Sequence, residues 1–106
     1  MVVTDPLDSL ERVGTALADP TRRRILLRLL DGDAYPAELA DDLRTGRSNI
    51  SNHLACLRGC GLVRGEREGR QVRYSLSSPH LAHALADLVR LELQVEEDHD
   101  DLDGRT

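Results

Sequence analysis

Apolar residues recur at helical spacing through most of the chain. Leu7, Leu10, Val13 and Leu17 fall three or four positions apart, so a first helix is expected over 7–18. Asp19-Pro20 restarts the pattern, with Asp placed to cap and Pro suited to the first helical position. The second helix, 21–30, turns Ile25, Leu26, Leu29 and Leu30 inward and Arg22, Arg23, Arg24 and Arg28 mostly outward, and Asp31-Gly32-Asp33 ends it. Tyr35-Pro36 opens a short third helix through Leu43, with Leu39 and Leu43 inward. Thr45-Gly46 reads as a tight turn. Ser48 is the expected N-cap of a fourth helix that runs to Cys60, and Gly61 suits its left-handed end. Two short helices joined by a glycine turn form a helix-turn-helix.

The period then changes. Residues 62–67 and 71–76 read as strands, with Glu68-Gly69-Arg70 as the turn between them. Beyond Ser77-Ser78-Pro79 a fifth helix is expected over 80–95, carrying Leu81, Ala84, Leu85, Leu88, Val89 and Leu91 or Glu92. This order predicts a mainly α fold with a β-hairpin wing, a winged helix-turn-helix. Residues 1–95 are expected to form one DNA-binding and dimerisation domain, and 96–106 an acidic, flexible tail.

Composition sharpens the picture in three respects. The 106 residues suffice for one domain, with two Tyr and no Phe or Trp, so the core must be built from Leu, Val, Ile and Ala. So small a domain leaves apolar surface uncovered, and a homodimer through the leucine faces of 7–18 and 80–95 is expected. The net charge is −5, yet positions 44–73 hold seven arginines against two glutamates. A basic centre in an acidic chain points to a directed contact with an anion.

The polar edge of the fourth helix fits that contact. A helix enters the major groove with its N-terminal side chains nearest the base edges, here Ser48, Asn49, Ser51, Asn52 and His53. Arg44 and Arg47, at the turn, are placed to hold phosphates. Arg64, Arg67, Arg70 and Arg73 on the hairpin suit backbone or minor-groove contact. The expected partner is double-stranded operator DNA.

The same helix carries the chain's only cysteines, Cys56 and Cys60. Residues four apart share a helix face, so both sulfurs can converge on one soft ion such as Cd(II), Pb(II), Zn(II) or Cu(I). Packed thiols and redox groups are the other uses of such a pair in a reducing compartment. A selective metal site usually has three or four ligands. No phosphate loop, HExxH or Gly-x-Ser-x-Gly motif is present, and Cys56 with His53 lacks an orienting third group, so no enzyme is expected. No membrane-spanning run or signal-peptide pattern is found, and the cytoplasm is the expected compartment.

Several runs together resemble the ArsR/SmtB family. They are Ala18-Asp19-Pro20-Thr21-Arg22 with Ile25-Leu26, Ser51-Asn52-His53-Leu54 with Leu57-Arg58, Gly61-Leu62-Val63, and Glu68-Gly69-Arg70 with Val72-Arg73-Tyr74. The resemblance covers roughly 7–95 and implies a small dimeric repressor that leaves DNA on binding metal. More narrowly, SNISNHLACLRGCGLV with EGRQVRY is similar to the CmtR-type cadmium/lead sensors, in which two cysteines of the recognition helix bind the metal. Those positions match Cys56 and Cys60. In that subgroup a further cysteine comes from the partner's tail. This chain has Asp98-His99-Asp100-Asp101 in that place, which makes His99 or a carboxylate such as Asp101 the candidate third ligand. Such a nitrogen or oxygen donor shifts preference toward Zn(II), while two thiolates still favour Cd(II). The family's other sensor sites are not matched: the third helix, PAELADDL, has no cysteine, and His80 and His83 lack the accompanying ligands. A repressor responding to thiol oxidation or As(III), or one with no small effector, is the alternative.

Overall fold

The computed structural model describes residues 2–96. Its elements are α1 (Pro6–Leu17), α2 (Pro20–Leu30), α3 (Pro36–Leu43), α4 (Arg47–Cys60), β1 (Val63–Glu68), β2 (Gln71–Leu76) and α5 (Pro79–Val89). This is the expected winged helix-turn-helix. Four of the five helices start with Pro in the first turn, where its missing N–H costs nothing. Asp5, Asp19 and Ser78 cap α1, α2 and α5 by accepting from the N–H groups of Leu7, Arg22 and Leu81. Replacing Asp19 by Ala is expected to cost about 1 kcal/mol, read as a lower denaturation midpoint at unchanged cooperativity.

The outward arginines of α2 do more than solvate it. Arg22 donates to the carbonyls of Thr15 and Ala16, and Arg23 to that of Leu17, at the end of α1. Arg24 donates to the carbonyl of Leu43, at the end of α3. Carbonyls of a helix's last turn have no partner within the helix and carry its negative pole, so guanidinium groups satisfy both needs. Arg28 pairs with Asp42 of α3 at 2.8 Å.

The core is one aliphatic cluster that includes Ile25, Leu26, Leu39, Ile50, Leu54 and Leu57, all fully buried. Helix α4 lies at its centre, against α1, α2, α3 and β1. Strands β1 and β2 pair antiparallel from Val63–Leu76 to Glu68–Gln71. The hairpin turn is therefore two residues, Gly69-Arg70, and Glu68 belongs to the strand rather than the turn. Gly69 has φ +63°, a conformation glycine adopts without a steric penalty. At the hairpin's root Ala34 and Tyr74 exchange backbone hydrogen bonds of 3.0 and 2.8 Å, tying the wing to the segment before α3. Gly65 faces Tyr74 across the ladder. A Cβ there would meet Val72 Cγ1 at 2.9 Å and Tyr74 Cε1 at 3.1 Å, so glycine admits the ring and the Arg58 guanidinium 6.0 Å above it.

Two boundaries differ from the sequence expectation. Gly46, not Ser48, is the N-cap of α4, which starts two residues earlier than expected. Helix α5 ends at Val89 rather than at 95, and the N–H groups of Arg90 and Leu91 tighten onto Asp87 and Leu88. Leu91, Leu93 and Val95 beyond it are exposed and alternate with Glu92 and Gln94, so this stretch has period two rather than a helical stripe. Among the described residues no helix is long and apolar enough to cross a membrane.

Candidate nucleic-acid interface and thiol pair

The turn between α3 and α4 sets the interface. Arg44 closes α3 in a left-handed conformation, φ 53°, which favours glycine and is strained for a residue that carries a Cβ. Thr45 N–H donates to the carbonyl of Ala40 and its hydroxyl to that of Leu43, so the reversal is fixed from both sides. Gly46 brings no side-chain cap, and the first N–H groups of α4 carry no side-chain partner. A helix N-terminus in that condition favours an anion such as phosphate.

Burial on α4 separates two faces. Ile50, Leu54 and Leu57 point into the core. Ser48, Asn49, Ser51 and Asn52 are exposed, as is Arg47 at the first turn's other side. His53 departs from the expectation. It lies three residues after Ile50, on the inward side, and its Nε2 sits 3.7 Å from Asp19 Oδ2 at the start of α2. It is only partly exposed, unlike Asn49 and Asn52 beside it. The spacing 50, 53, 54, 57 is a core stripe and was the available signal. Asp19 is held below the usual carboxylate range, chiefly by the Arg22 N–H; desolvation, the next effect in size, opposes this, and His53 adds a smaller lowering. The stability it lends is complete above the ordinary Asp value of 3.8 and is lost as pH falls through its lowered folded value.

The wing divides likewise. Arg64, Arg67 and Arg70 are exposed, and no ion pair engages them among the described residues. Arg73 is held by three carboxylates: Asp33 at 2.6 Å, Glu68 at 2.7 Å and Glu66 at 2.9 Å. Its guanidinium is compensated within the chain, unlike those of Arg64, Arg67 and Arg70. Sequence spacing alone could not show this, because Asp33 lies 40 residues away. Tyr35 Oη donates to Glu68 at 2.7 Å. That bond raises the Tyr35 phenol above its ordinary value, while the Tyr35 and Arg73 bonds hold the Glu68 carboxyl below its own.

Cys56 and Cys60 are half-buried free thiols, one turn apart on the same helix. Burial pushes the Cys60 thiol above its ordinary value, and Cys56 adds to this; Arg12 and Arg22 pull the other way. Arg12 is anchored nearby by donating to the carbonyl of Gly59 at 3.2 Å. A cleft of about 770 Å³ opens at Cys60 between Arg12, Arg58, Leu62 and His80. Cys60 lines this cleft. Among the described residues no third His, Cys, Asp or Glu joins the two thiols in a group able to hold a metal. His99 and Asp101 lie outside the described residues.

The comparisons with known proteins agree with this geometry. The family described as "Bacterial regulatory protein, arsR family" matches residues 19–64. The chain is 61% identical over 90 residues to the HTH-type transcriptional regulator CmtR of Mycobacterium tuberculosis, covering 85% of this chain and 76% of that protein. The NMR structure of the cadmium metal-sensor CMTR from the same organism superposes with a TM-score of 0.67, over 83% of this chain and 92% of that one, at 61% identity. The homodimeric winged helix-turn-helix DNA-binding domain Mb0332 from Mycobacterium bovis gives a TM-score of 0.73 at 28% identity, over 92% and 99% of the two chains.

Proposed function

The chain belongs to the ArsR family of bacterial regulatory proteins, and from that membership we propose that it is a metal-responsive repressor. It is a transcriptional regulator of the ArsR/SmtB type and not an enzyme. In this reading it binds an inverted-repeat operator as a homodimer and leaves it on taking up Cd(II) or Pb(II), with Zn(II) the harder alternative. The single observation that carries the proposal is the placement of two free thiols, one turn apart, on the helix whose other end presents Ser48, Asn49, Ser51 and Asn52.

The side chains divide the work as follows. Ser48, Asn49, Ser51 and Asn52 read base edges in the major groove; an Asn there pairs bidentately with adenine. Arg44, Arg47 and the α4 N-terminus hold phosphates, and Arg64, Arg67 and Arg70 grip the backbone beside them. The exposed Leu7 and Leu10 of α1 and Leu88 and Val89 of α5 supply the dimer face. In this reading residues 1–95 form the domain, and the acidic stretch 96–106 brings His99 or Asp101 to the thiols from the partner.

Cys56 and Cys60 each give up a proton when they bind the ion, whose soft character matches thiolate. Because α4 packs on α1, and α1 belongs to the dimer face, tying down the C-terminal turn of α4 changes the spacing of the two reading edges. A coupling of about 1–3 kcal/mol is typical for such a link, and DNA must weaken metal binding by the same factor.

The test uses a duplex selected by the protein from random-sequence DNA. Cd(II) should produce a sulfur-to-metal charge-transfer band and release the duplex. Replacing Cys56 and Cys60 by Ser should abolish both effects and leave apo binding intact. Affinity for Cd(II) should rise with pH, because two thiol protons are displaced and burial raises the Cys60 thiol above its ordinary value. Release of the duplex by Cd(II) from the doubly substituted protein would place the sensor site elsewhere. Release by peroxide or arsenite with no response to Cd(II) would favour the oxidation or As(III) reading, which a pair of free thiols also accommodates.

A further inference from the structure

We propose that Arg73 is a positioning residue: by bonding Asp33, Glu66 and Glu68 together it fixes the angle of the wing to the helix-turn-helix, without touching DNA. This rests on the reading of the wing as a DNA contact.

The geometry is that of a hinge and a strut. The hinge is the exchange of backbone hydrogen bonds between Ala34 and Tyr74 at the root of the hairpin. That bridge, with Val63 and Tyr74 packed in the core, fixes the base of the hairpin but not its outer half. The strut lies further out. Arg73 NH1 donates to Asp33, which belongs to the segment leading into α3. Its NH2 donates to Glu66, the residue opposite it in the ladder, and its Nε to Glu68. Glu68 is in the last strand pair before the turn, so the strut spans the outer half of the hairpin.

A second link runs in parallel. Tyr35, the N-cap residue of α3, donates its hydroxyl to the other oxygen of Glu68. The Tyr35 backbone N–H is bonded in turn to Glu38 in the first turn of α3. The wing is thereby referenced to α3, and α3 to α4 through the fixed reversal at Arg44 and Thr45. Three exposed arginines on a freely twisting hairpin would sample many orientations, and binding would carry the entropy of ordering them. A braced hairpin presents them already aimed.

The chemistry of the strut requires arginine. A guanidinium offers five N–H donors in a rigid planar fork and satisfies three carboxylates from separate directions. A lysine keeps the charge but not the fork. The cluster also holds three carboxylates against one cation, so its net charge is negative and repels phosphate. It suits a brace and does not suit a phosphate contact.

The test compares Arg73→Gln, Arg73→Lys and Tyr35→Phe with the wild type on the selected duplex, with thermal melts as a check on folding. Arg73→Lys is expected to lose about fivefold or more in dimer affinity, close to Arg73→Gln, as two exposed ion-pair clusters are lost. Tyr35→Phe, which changes no charge, should weaken binding in the same direction without altering its salt dependence. Arg73→Lys binding like wild type would overturn the proposal, whether Arg73→Gln binds poorly, as a phosphate contact would, or equally well. Substitution of Arg64, Arg67 and Arg70 together separates the two levels. If that variant binds normally, the reading of the wing fails and the inference with it. If it binds poorly while Arg73→Lys is normal, only the brace fails.

Discussion

Replacing Arg64, Arg67 and Arg70 together by glutamine is expected to lower operator affinity on the order of 10³-fold near physiological salt and to flatten its salt dependence. The three side chains are exposed, and no carboxylate engages them among the described residues, so their charge is available to DNA. Each phosphate neutralised releases condensed counterions, and the logarithm of affinity falls with the logarithm of salt by about 0.9 per contact. Three contacts in each half of a dimer then account for about five units of slope. Substitutions at exposed positions typically change stability by less than about 0.5 kcal/mol, so the melting curve should stay nearly fixed. A titration over several salt concentrations measures slope and affinity together. An unchanged slope would remove the wing from the interface and leave the reading to α4 alone.

Most of the architecture was legible because the elements announce themselves locally. Asp19-Pro20, Tyr35-Pro36 and Ser78-Pro79 mark three helix starts that the structure bears out. Gly61 marks the left-handed end of α4 at φ 89°. The polar edge 48–52 and the thiol pair were visible because helical spacing alone assigns them to faces. What was not legible depends on partners distant in sequence. Arg73 reads as one more basic residue of the wing until Asp33 is brought beside it. The arginines of α2 read as solvated until the ends of α1 and α3 arrive beneath them. His53 was assigned to the reading edge on its chemical type, although its spacing from Ile50 and Leu57 belongs to the core. The fifth helix was extended too far because Leu91 continues the leucine pattern for one more step, whereas Leu93 and Val95 alternate.

Replacing Leu54 by Ala is expected to destabilise the protein by about 2–5 kcal/mol, the usual range for a buried leucine. Leu54 is 1% exposed, at the middle of the helix that packs against α1, α2, α3 and β1, so the surrounding elements cannot easily close on the cavity. A domain of this size is stable by about 5–15 kcal/mol, and the loss is a large share of that. The melting temperature should fall by roughly 10–30 °C, since each kcal/mol is worth about 4–8 °C in a small domain. Leu54 also sits between the reading edge and the thiols, with Ile50 a turn before it and Leu57 a turn after. These three side chains are what hold α4 in register with the core, so any force applied at Cys56 and Cys60 is transmitted to Ser48 and Asn49 through them. A milder change at the same position, Leu54→Val, should therefore weaken operator binding and its response to Cd(II) while most of the protein remains folded. Melting, operator titration and metal titration on the two variants distinguish loss of fold from loss of transmission. If Leu54→Val melts lower yet binds and releases the duplex like wild type, the stripe supports the fold without carrying the signal.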